Sequence, residues 1–235
     1  MKIFIDAGHN FSGVGTGAVG NGLKEQDITF YISDKLKGLL ISAGHEVKMS
    51  REKLKDNLGA TVTDGLYKRA NMANEWGADL FVSIHCNAFN GKAQGTETLV
   101  YSLEGKSVPH AKKIQKAIVK SLGTKDRGIK ARPGLVVLKK TSMPALLVET
   151  AFIDNKEDAL LLKNKQEDFA KAIYEGIVGE KVKESQKELT SVKDIVEELQ
   201  RIGIITDADL WMKKLNEDEN SYWLARKTLN YIQKG

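Results

Sequence analysis

The sequence is poor in the residues that mark several classes of protein. Its 235 residues include one cysteine, Cys86, and three prolines. A single cysteine excludes an internal disulfide and fits synthesis in a reducing compartment. No run approaches the roughly 20 apolar residues of a membrane-spanning helix, so we expect no membrane insertion. The chain begins directly on a strand-like segment, and we expect no secretory signal peptide and a cytoplasmic location on synthesis.

The composition that remains is globular, with an excess of positive charge. Hydrophobic residues make up 41% of the sequence, which is typical of a folded rather than a disordered chain. The formal net charge is +5 at pH 7. Residues 181–235 contain ten basic and ten acidic residues, so the whole excess lies in residues 1–180. Such an excess favours an anionic partner, which at this level includes nucleic acid, a membrane surface or an acidic polymer.

Apolar strands alternate with amphipathic helices along the first 180 residues. The spacing of apolar residues predicts strands over 2–6, 45–50, 79–84, 95–102, 134–140 and 145–152. It predicts helices over about 28–40, 64–76, 108–122, 155–163 and 166–178. Because the strands are apolar on both faces and alternate with helices, we expect a three-layer α/β domain with a mostly parallel sheet, over residues 1–179.

A charged segment separates this domain from the C-terminal part. Residues 180–190 contain almost no large apolar side chains, and we interpret them as a linker. Three amphipathic segments over about 191–202, 206–215 and 221–232 then predict a small all-helical domain over 191–235. About 45 residues is close to the lower limit for independent folding. This domain could therefore dock on the first one, pair with a second copy or bind a ligand.

Three ionisable residues lie where three predicted strands end. His9 follows the strand 2–6, His85 follows the strand 79–84, and Glu149 follows the apolar run 145–148. Carboxyl ends of parallel strands meet at one edge of a sheet, so these side chains should converge there. Burying even one such group without a partner is costly. The alternative for His9, taken alone, is a loop histidine without a role.

Histidines together with a carboxylate indicate a zinc site. Catalytic zinc sites use three nitrogen or oxygen ligands and leave the fourth position to water. Glu25 is the best candidate for a third ligand, since it heads the first helix after the flexible stretch GNGLKE. Its alternative role is that of a helix N-terminal acid, which the helix dipole favours. No His-Glu-x-x-His signature is present, so spacing alone does not specify the metal.

Three further residues are candidates for supporting roles. Asp6 could orient a ligand imidazole, or it could cap a turn at the strand end. Arg69 and Arg127 could bind carboxylates of a substrate, the alternative being solvated side chains. Arg127 is favoured because RGIK precedes a predicted strand whose end should lie near the site. Side chains alternate along a strand, so Cys86 should point away from the neighbouring histidine, and we do not expect a thiol nucleophile.

Several motifs in series resemble one enzyme family. They are KIFIDAGHN, the Glu25 that follows it, YKRANMANEWGADLFVSIHCNA, GTETLVY and RGIKARPGLVVLKKTSMPALLVETAFIDN. In this order they cover roughly residues 1–179 and resemble the zinc-dependent N-acetylmuramoyl-L-alanine amidases of the amidase type 3 family. One departure is Ala151, where the family usually has glycine. The added methyl group does not involve the proposed ligands.

The resemblance implies a twisted sheet surrounded by helices and one Zn²⁺ per chain, held by His9, Glu25 and His85. It also implies a catalytic role for Glu149. The implied reaction is hydrolysis of the amide bond between the lactyl group of N-acetylmuramic acid and the L-Ala of the peptidoglycan stem peptide. A zinc peptidase that cuts within the stem peptide is the alternative reaction, because its metal chemistry would be the same.

The expected lack of an export signal and the layout of a catalytic domain with a small tail are similar to those of phage endolysins of Gram-positive hosts. We expect a phage endolysin that is made in the cytoplasm of a Gram-positive host and reaches the wall through holes made by a holin. A bacterial autolysin of the same activity is the alternative. The expected partners are peptidoglycan and other wall polymers, not nucleic acid. We expect residues 191–235 to target the wall, with a homodimer through these helices or a structural tail as alternatives.

Overall fold

The computed structural model describes residues 1–182, 192–201, 204–218, 221 and 225. Contacts between residues divide the chain into unit 1, Met1–Val182, and unit 2, Lys183–Gly235. Most of the predicted linker, residues 183–190, and most of the predicted helix 221–232 lie outside the described residues. None of the described helices combines the length and the apolar character needed to cross a membrane.

Unit 1 alternates strands and helices as the apolar spacing predicts. Its strands are β1 (Lys2–Ala7), β2 (Val19–Gly20), β3 (Leu23–Lys24), β4 (Glu46–Met49), β5 (Leu80–Asn87), β6 (Thr96–Val100), β7 (Asp126–Ala131) and β8 (Ala145–Phe152). Its helices are α1 (Glu25–Ser42), α2 (Val62–Trp76), α3 (Val108–Leu122), α4 (Val136–Lys139), α5 (Lys156–Asn164) and α6 (Gln166–Val178).

Six strands form one sheet in the order β4-β1-β5-β8-β6-β7. All neighbours are parallel except β6 and β8, which run antiparallel. The carboxyl ends of β1, β5 and β8 therefore lie at the same edge, and the amino ends of β6 and β7 lie there too. In the register, His85 on β5 is paired with Glu149 on β8, which is paired in turn with Glu97 on β6. The prediction of a mostly parallel sheet is confirmed.

Helices cover both faces of the sheet. On the first face, α1, α3 and α6 pack over Leu80, Val82 and Ile84 of the central strand β5. On the second face, α2 and α4 pack over a smaller cluster that includes Phe4 and Phe81, whose rings are stacked with centroids 5.7 Å apart. Both faces of β5 are buried, which explains its nearly continuous apolar sequence. The three-layer α/β arrangement is confirmed.

The prediction of a strand over 134–140 is wrong. Its centre forms α4, a single helical turn that buries Val137 and Leu138 against the second face of the sheet. The strand lies earlier, at β7, whose sequence DRGIKA is polar and whose residues are only partly buried. β7 is the last strand of the sheet and has one strand neighbour, so its sequence lacks the apolar run of a central strand. A short apolar run does not by itself distinguish a strand from a helical turn.

The described part of unit 2 contains α7 (Val192–Arg201) and α8 (Ala208–Glu217). The side chains that these helices bury against each other include Ile195, Leu199 and Leu215. Asp207 caps the start of α8, because its carboxylate accepts a hydrogen bond from the backbone N–H of Leu210 at 3.0 Å. The two helices agree with the predicted segments 191–202 and 206–215.

Candidate metal centre

The turn after β1 presents His9 at the sheet edge. The backbone of His9 is left-handed, with φ of 66°, a conformation that residues other than glycine rarely adopt. The preceding Gly8 donates a backbone hydrogen bond to the carbonyl of Ile84 at 3.1 Å. A Cβ atom on Gly8 would lie 2.5 Å from Cε1 of His85. Glycine is therefore required at position 8 for the two histidines to approach each other.

Glu25 is held at the first position of α1 by its own backbone and by its carboxylate. Its N–H donates to the carbonyl of Ala18 at 2.9 Å, which closes the β2–β3 hairpin onto the helix. Carboxylate Oε2 accepts from the N–H of Ala18 at 2.9 Å, and Oε1 accepts from the N–H of Cys86 at 2.9 Å. A Cβ atom on Gly17 would lie 2.6 Å from Cβ of Glu25. Gly17 thus gives the carboxylate the space to lie beside the histidines.

His9, Glu25 and His85 converge on one point. Nε2 of His9 lies 2.9 Å from Oε1 of Glu25, and Nδ1 of His85 lies 3.1 Å from the same oxygen. The two imidazole nitrogens are 3.1 Å apart. Nδ1 of His9 lies 3.3 Å from the carbonyl oxygen of Gly15, so this contact directs Nε2 toward the other two ligand atoms. Within the described residues, these three side chains form the one group of at least three potential metal ligands.

The Glu25 carboxylate is ionised in this environment. Burial alone would raise the pKa of Glu25, but hydrogen bonds from His85 and His9, together with the charges of these residues, hold it well below its usual range. A buried carboxylate between two imidazoles is a strong site for a cation, because a cation replaces the hydrogen-bond donors that the carboxylate would otherwise need.

Glu149 lies at the same sheet edge in a different electrostatic environment. Burial, and then the charges of Glu25 and Glu97, raise the pKa of Glu149 to about 8. Its Oε2 atom is buried and has no hydrogen-bond partner among the described residues. A carboxyl group with a pKa near neutrality can both accept and release a proton, which is the requirement for a general base that later acts as an acid.

Arg127 is placed beside this edge by an ion pair. Its Nε donates to Oε2 of Glu97 at 2.7 Å, and Nζ of Lys130 donates to the same oxygen at 2.6 Å. Burial alone would raise the pKa of Glu97, but these two cations hold it below its usual value. The Arg127 guanidinium also lies 4.8 Å from the centroid of the Phe152 ring. Its proposed contact with substrate stays a prediction.

Comparison with known proteins identifies the family. The sequence profile of Amidase_3, described as N-acetylmuramoyl-L-alanine amidase, matches residues 3–179. The chain belongs to this amidase family. The matched segment lies within unit 1 and contains the three converging side chains as well as Glu149.

Curated relatives of this amidase family member include phage and bacterial proteins. The chain is 42% identical over 184 residues to a protein named "Endolysin" from Bacillus phage SPP1, covering 74% of this chain and 64% of that protein. It is 39% identical over 165 residues to N-acetylmuramoyl-L-alanine amidase CwlM of Bacillus licheniformis, covering 70% of this chain and 61% of that protein. The chain thus spans less than two thirds of the length of these relatives.

A solved structure supports the same assignment. The catalytic domain of the CD27L endolysin, described as targeting Clostridia Difficile, is similar with a TM-score of 0.69 and 31% identity. The similarity covers 77% of this chain and 99% of that domain. The amidase family fold therefore accounts for unit 1.

Arg69 and Asp6 form a buried pair with each other. Arg69 is only 4% exposed and donates to Oδ1 of Asp6 at 2.5 Å and to the carbonyl of His9 at 2.6 Å, so it is not available to a substrate carboxylate. Asp6 accepts hydrogen bonds from Arg69 and, at 2.7 Å, from the hydroxyl of Ser83, rather than from an imidazole. Burial would raise the pKa of Asp6, but the charge of Arg69 contributes most to holding it below its usual value.

A second buried arginine, Arg51, was not predicted from the sequence. It is fully buried and donates to the carbonyls of Ala7 and Gly8 at 3.3 Å and of Gln26 at 2.6 Å. Arg51 and Arg69 together bind the carbonyls of three consecutive residues that end at His9. The two arginines therefore fix the backbone that carries His9, one of the three candidate ligands. Only their unusual burial identifies this role, and the sequence carries no signal for it.

Cys86 lies where the alternation of side chains predicts. It belongs to the cluster on the first face of the sheet, opposite in direction to His85. Its Sγ lies 3.5 Å from Oγ1 of Thr150. Burial, and then the charge of Glu25, raise the pKa of this thiol well above its usual value. The thiol is therefore protonated and is not a nucleophile.

Proposed function

We propose that the chain hydrolyses the amide bond between N-acetylmuramic acid and the L-Ala of the stem peptide, with one Zn²⁺ held by His9, Glu25 and His85. The observation that carries the proposal is the convergence of these three side chains beside Glu149. Zinc dependence is typical of the family.

The three ligand atoms fit a zinc ion. A tetrahedral Zn²⁺ with bonds of about 2.0–2.1 Å to nitrogen and oxygen separates its ligands by about 3.3 Å. The separations here are 2.9–3.1 Å, so the ligand atoms need to move by only a few tenths of an ångström. Two imidazoles and one carboxylate form the ligand set of a catalytic zinc site that keeps its fourth position open.

The chain's own residues supply the proton transfer. A bound Zn²⁺ supplies a Lewis acid that acidifies water and polarises the scissile carbonyl. Glu149 accepts the proton of the attacking water and delivers it to the leaving amino group of L-Ala. A cation beside Glu149 would favour its ionised form, which can accept the proton, and its buried Oε2 atom, which has no hydrogen-bond partner among the described residues, is the group that receives it. Arg127, fixed by Glu97, lies beside this edge and would bind a carboxylate or carbonyl of the stem peptide.

The setting that we propose is lysis of a Gram-positive host by a phage endolysin. Similarity to the SPP1 endolysin and to the catalytic domain of CD27L supports it. Similarity to the bacterial amidase CwlM is the specific observation behind the alternative, an autolysin with the same activity. In the phage setting, the protein is made in the cytoplasm and acts on the wall after release through a holin. Residues 191–235 would then target the wall or, as the alternative, pair two copies.

A digest of purified Gram-positive walls tests the reaction. Mass spectrometry should detect new free L-Ala amino termini with intact glycan strands. New termini inside the stem peptide, with the muramoyl–L-Ala bond intact, would show a peptidase instead and contradict the proposal.

Substitutions of the proposed residues separate metal binding from proton transfer. His85→Ala should lose zinc and activity together. Glu149→Gln should retain about one zinc per chain while turnover falls by the ~10²–10⁴-fold that is typical of losing a general acid or base. Glu46→Gln, on an exposed position of β4, is the matched control and should change neither quantity. Loss of zinc in Glu149→Gln would make Glu149 a ligand.

A further inference from the structure

Positive charge is concentrated in one segment of the chain. Residues 105–142 contain eleven lysines and arginines and a single acidic residue, Asp126. The whole chain has a net charge of +5, so the remaining residues together carry a net negative charge. Within the segment, α3 and β7 lie at the β7 edge of the sheet, while α4 packs on the second face against α2 and β8. A concentration of this kind indicates an anionic partner at that edge.

The helix α3 presents a row of three lysines. Lys112, Lys116 and Lys120 are spaced four residues apart and are all exposed, so their side chains follow one face of the helix at intervals of about 6 Å. Among the described residues, none of these three ammonium groups has a carboxylate within ion-pair distance. Their charges are therefore available to a ligand.

These lysines border a groove between α3 and β7. The groove encloses a cavity of about 750 Å³, and its apolar lining residues are Leu103, Val108, Val119 and Ile129. Its one acidic group, Asp126, accepts hydrogen bonds from Nε2 of Gln115 at 2.6 Å and from the N–H of Gly128 at 2.9 Å. The groove thus combines an apolar floor with a cationic rim.

We propose that this groove binds a linear phosphodiester polymer attached to the wall, of the polyol-phosphate kind. The inference rests on the proposed function, which places the protein on a wall. The row of lysines matches regularly spaced phosphates, and the apolar floor matches the aliphatic carbons between them. No aromatic side chain lines the groove, whereas proteins that bind single-stranded nucleic acid stack bases on aromatic rings.

The position of the groove connects polymer binding to the reaction. The strand β7 borders the groove and also carries Arg127, whose partner Glu97 is paired in the sheet with Glu149. A polymer in the groove would therefore lie beside the proposed reaction edge without occupying it. It would hold the enzyme on walls that carry the polymer, while small soluble substrates would react without it.

Titration of the full-length protein with soluble polyglycerol phosphate, over a range of salt concentrations, tests the proposal. The variant replaces all three lysines of the row by glutamine (K112Q, K116Q and K120Q). The matched control replaces three exposed lysines elsewhere in unit 1 by glutamine, namely Lys35, Lys55 and Lys163. Each triple substitution lowers the net charge by the same three units.

The row variant should bind the polymer at least tenfold more weakly at low salt. The slope of log K against log salt should become shallower by about 2, since each phosphate contact contributes roughly 0.7 on a flexible strand. The control should stay within twofold of the original protein. Equal weakening in both variants would overturn the proposal, because it would show a response to net charge alone. Equal affinity of the original protein for single-stranded DNA would also overturn it, in favour of a general polyanion site.

Walls provide the second measurement. Hydrofluoric acid removes phosphodiester polymers from walls and leaves the peptidoglycan. Binding of the original protein to acid-treated walls should therefore be weak. It should match the binding of the row variant to untreated walls. Undiminished binding to treated walls would overturn the proposal. Both variants should release L-Ala termini from small soluble muropeptides at the original rate. If the amidase proposal is wrong, neither the original protein nor either variant should release L-Ala termini, and this result would not depend on how strongly each binds the polymer.

Discussion

Replacing Glu149 by glutamine should stabilise the metal-free protein, and the gain should depend on pH. The pKa of Glu149 is about 8 in the folded chain, against an ordinary value of 4.5. Between these values the unfolded chain has released this proton while the folded chain still holds it. The free energy of unfolding therefore falls by about 1.4 kcal/mol per pH unit across this window. The penalty is absent below pH 4.5 and complete above pH 8.

The expected gain at pH 7 is about 3 kcal/mol, because pH 7 lies 2.5 units above the ordinary pKa. Glutamine has nearly the same shape but no charge to bury. Its amide adds a hydrogen-bonding group whose cost does not vary with pH. The difference between the two proteins should therefore be small at pH 4.5, about 3 kcal/mol at pH 7, and larger at pH 8.5.

Urea unfolding followed by circular dichroism measures this difference. The samples should be treated with a chelator, because a cation beside Glu149 would favour its ionised form. Glu46→Gln is again the control, since Glu46 is exposed on β4 and its substitution should give a small difference that does not follow this pH profile. A difference for Glu149→Gln that stays constant from pH 4.5 to 8.5 would mean that Glu149 ionises near its ordinary pKa, contrary to this prediction.

Three further predictions concern the supports of the site and unit 2. Arg69→Lys should weaken zinc binding in a chelator competition, because one ammonium group cannot replace the forked guanidinium that binds the carbonyl of His9, whereas exposed Arg132→Lys should not. Gly8→Ala should also lower zinc content, because the new methyl group would meet the imidazole of His85; unchanged metal content would contradict the close approach. A chain that ends at Val182 should cleave soluble muropeptides but sediment less with walls, and equal sedimentation would remove the targeting role of unit 2.

The strand-and-helix order could be read from the sequence where apolar spacing is strong. On β5, Leu80, Val82 and Ile84 face one side of the sheet and Phe81 faces the other. Because both sides are buried, the strand is a continuous apolar run that can be recognised in the sequence. The helix α3 was predicted with its observed bounds, because its apolar residues recur at helical spacing and Gly123 ends it in a left-handed conformation. The strand β7 was not predicted, because its polar sequence, which its position at the edge of the sheet permits, lacks the apolar pattern of a buried strand.

The candidate site also has a part that could be predicted from the sequence and a part that could not. The convergence of His9, His85 and Glu149 at one edge could be expected because strand ends meet there, and Glu25 was placed with them as the head of the first helix. The surroundings of Arg69 could not be predicted, because a sequence does not show whether an arginine is solvated or buried. Its burial depends on Asp6 and on carbonyls that are 59 to 63 residues away in the chain.

The family, the sheet and the residue types at the proposed reaction edge follow from the order of amino acids, because short-range periodicity and motif order are properties of the chain alone. The environments of these residues required the folded chain, which gives Glu25 a low pKa between two imidazoles and raises the pKa of Glu149 to about 8. Folding also decided that the lysines of α3 border a groove beside β7. These properties depend on burial and on charges brought close from distant parts of the chain, and neither quantity exists until the chain is folded.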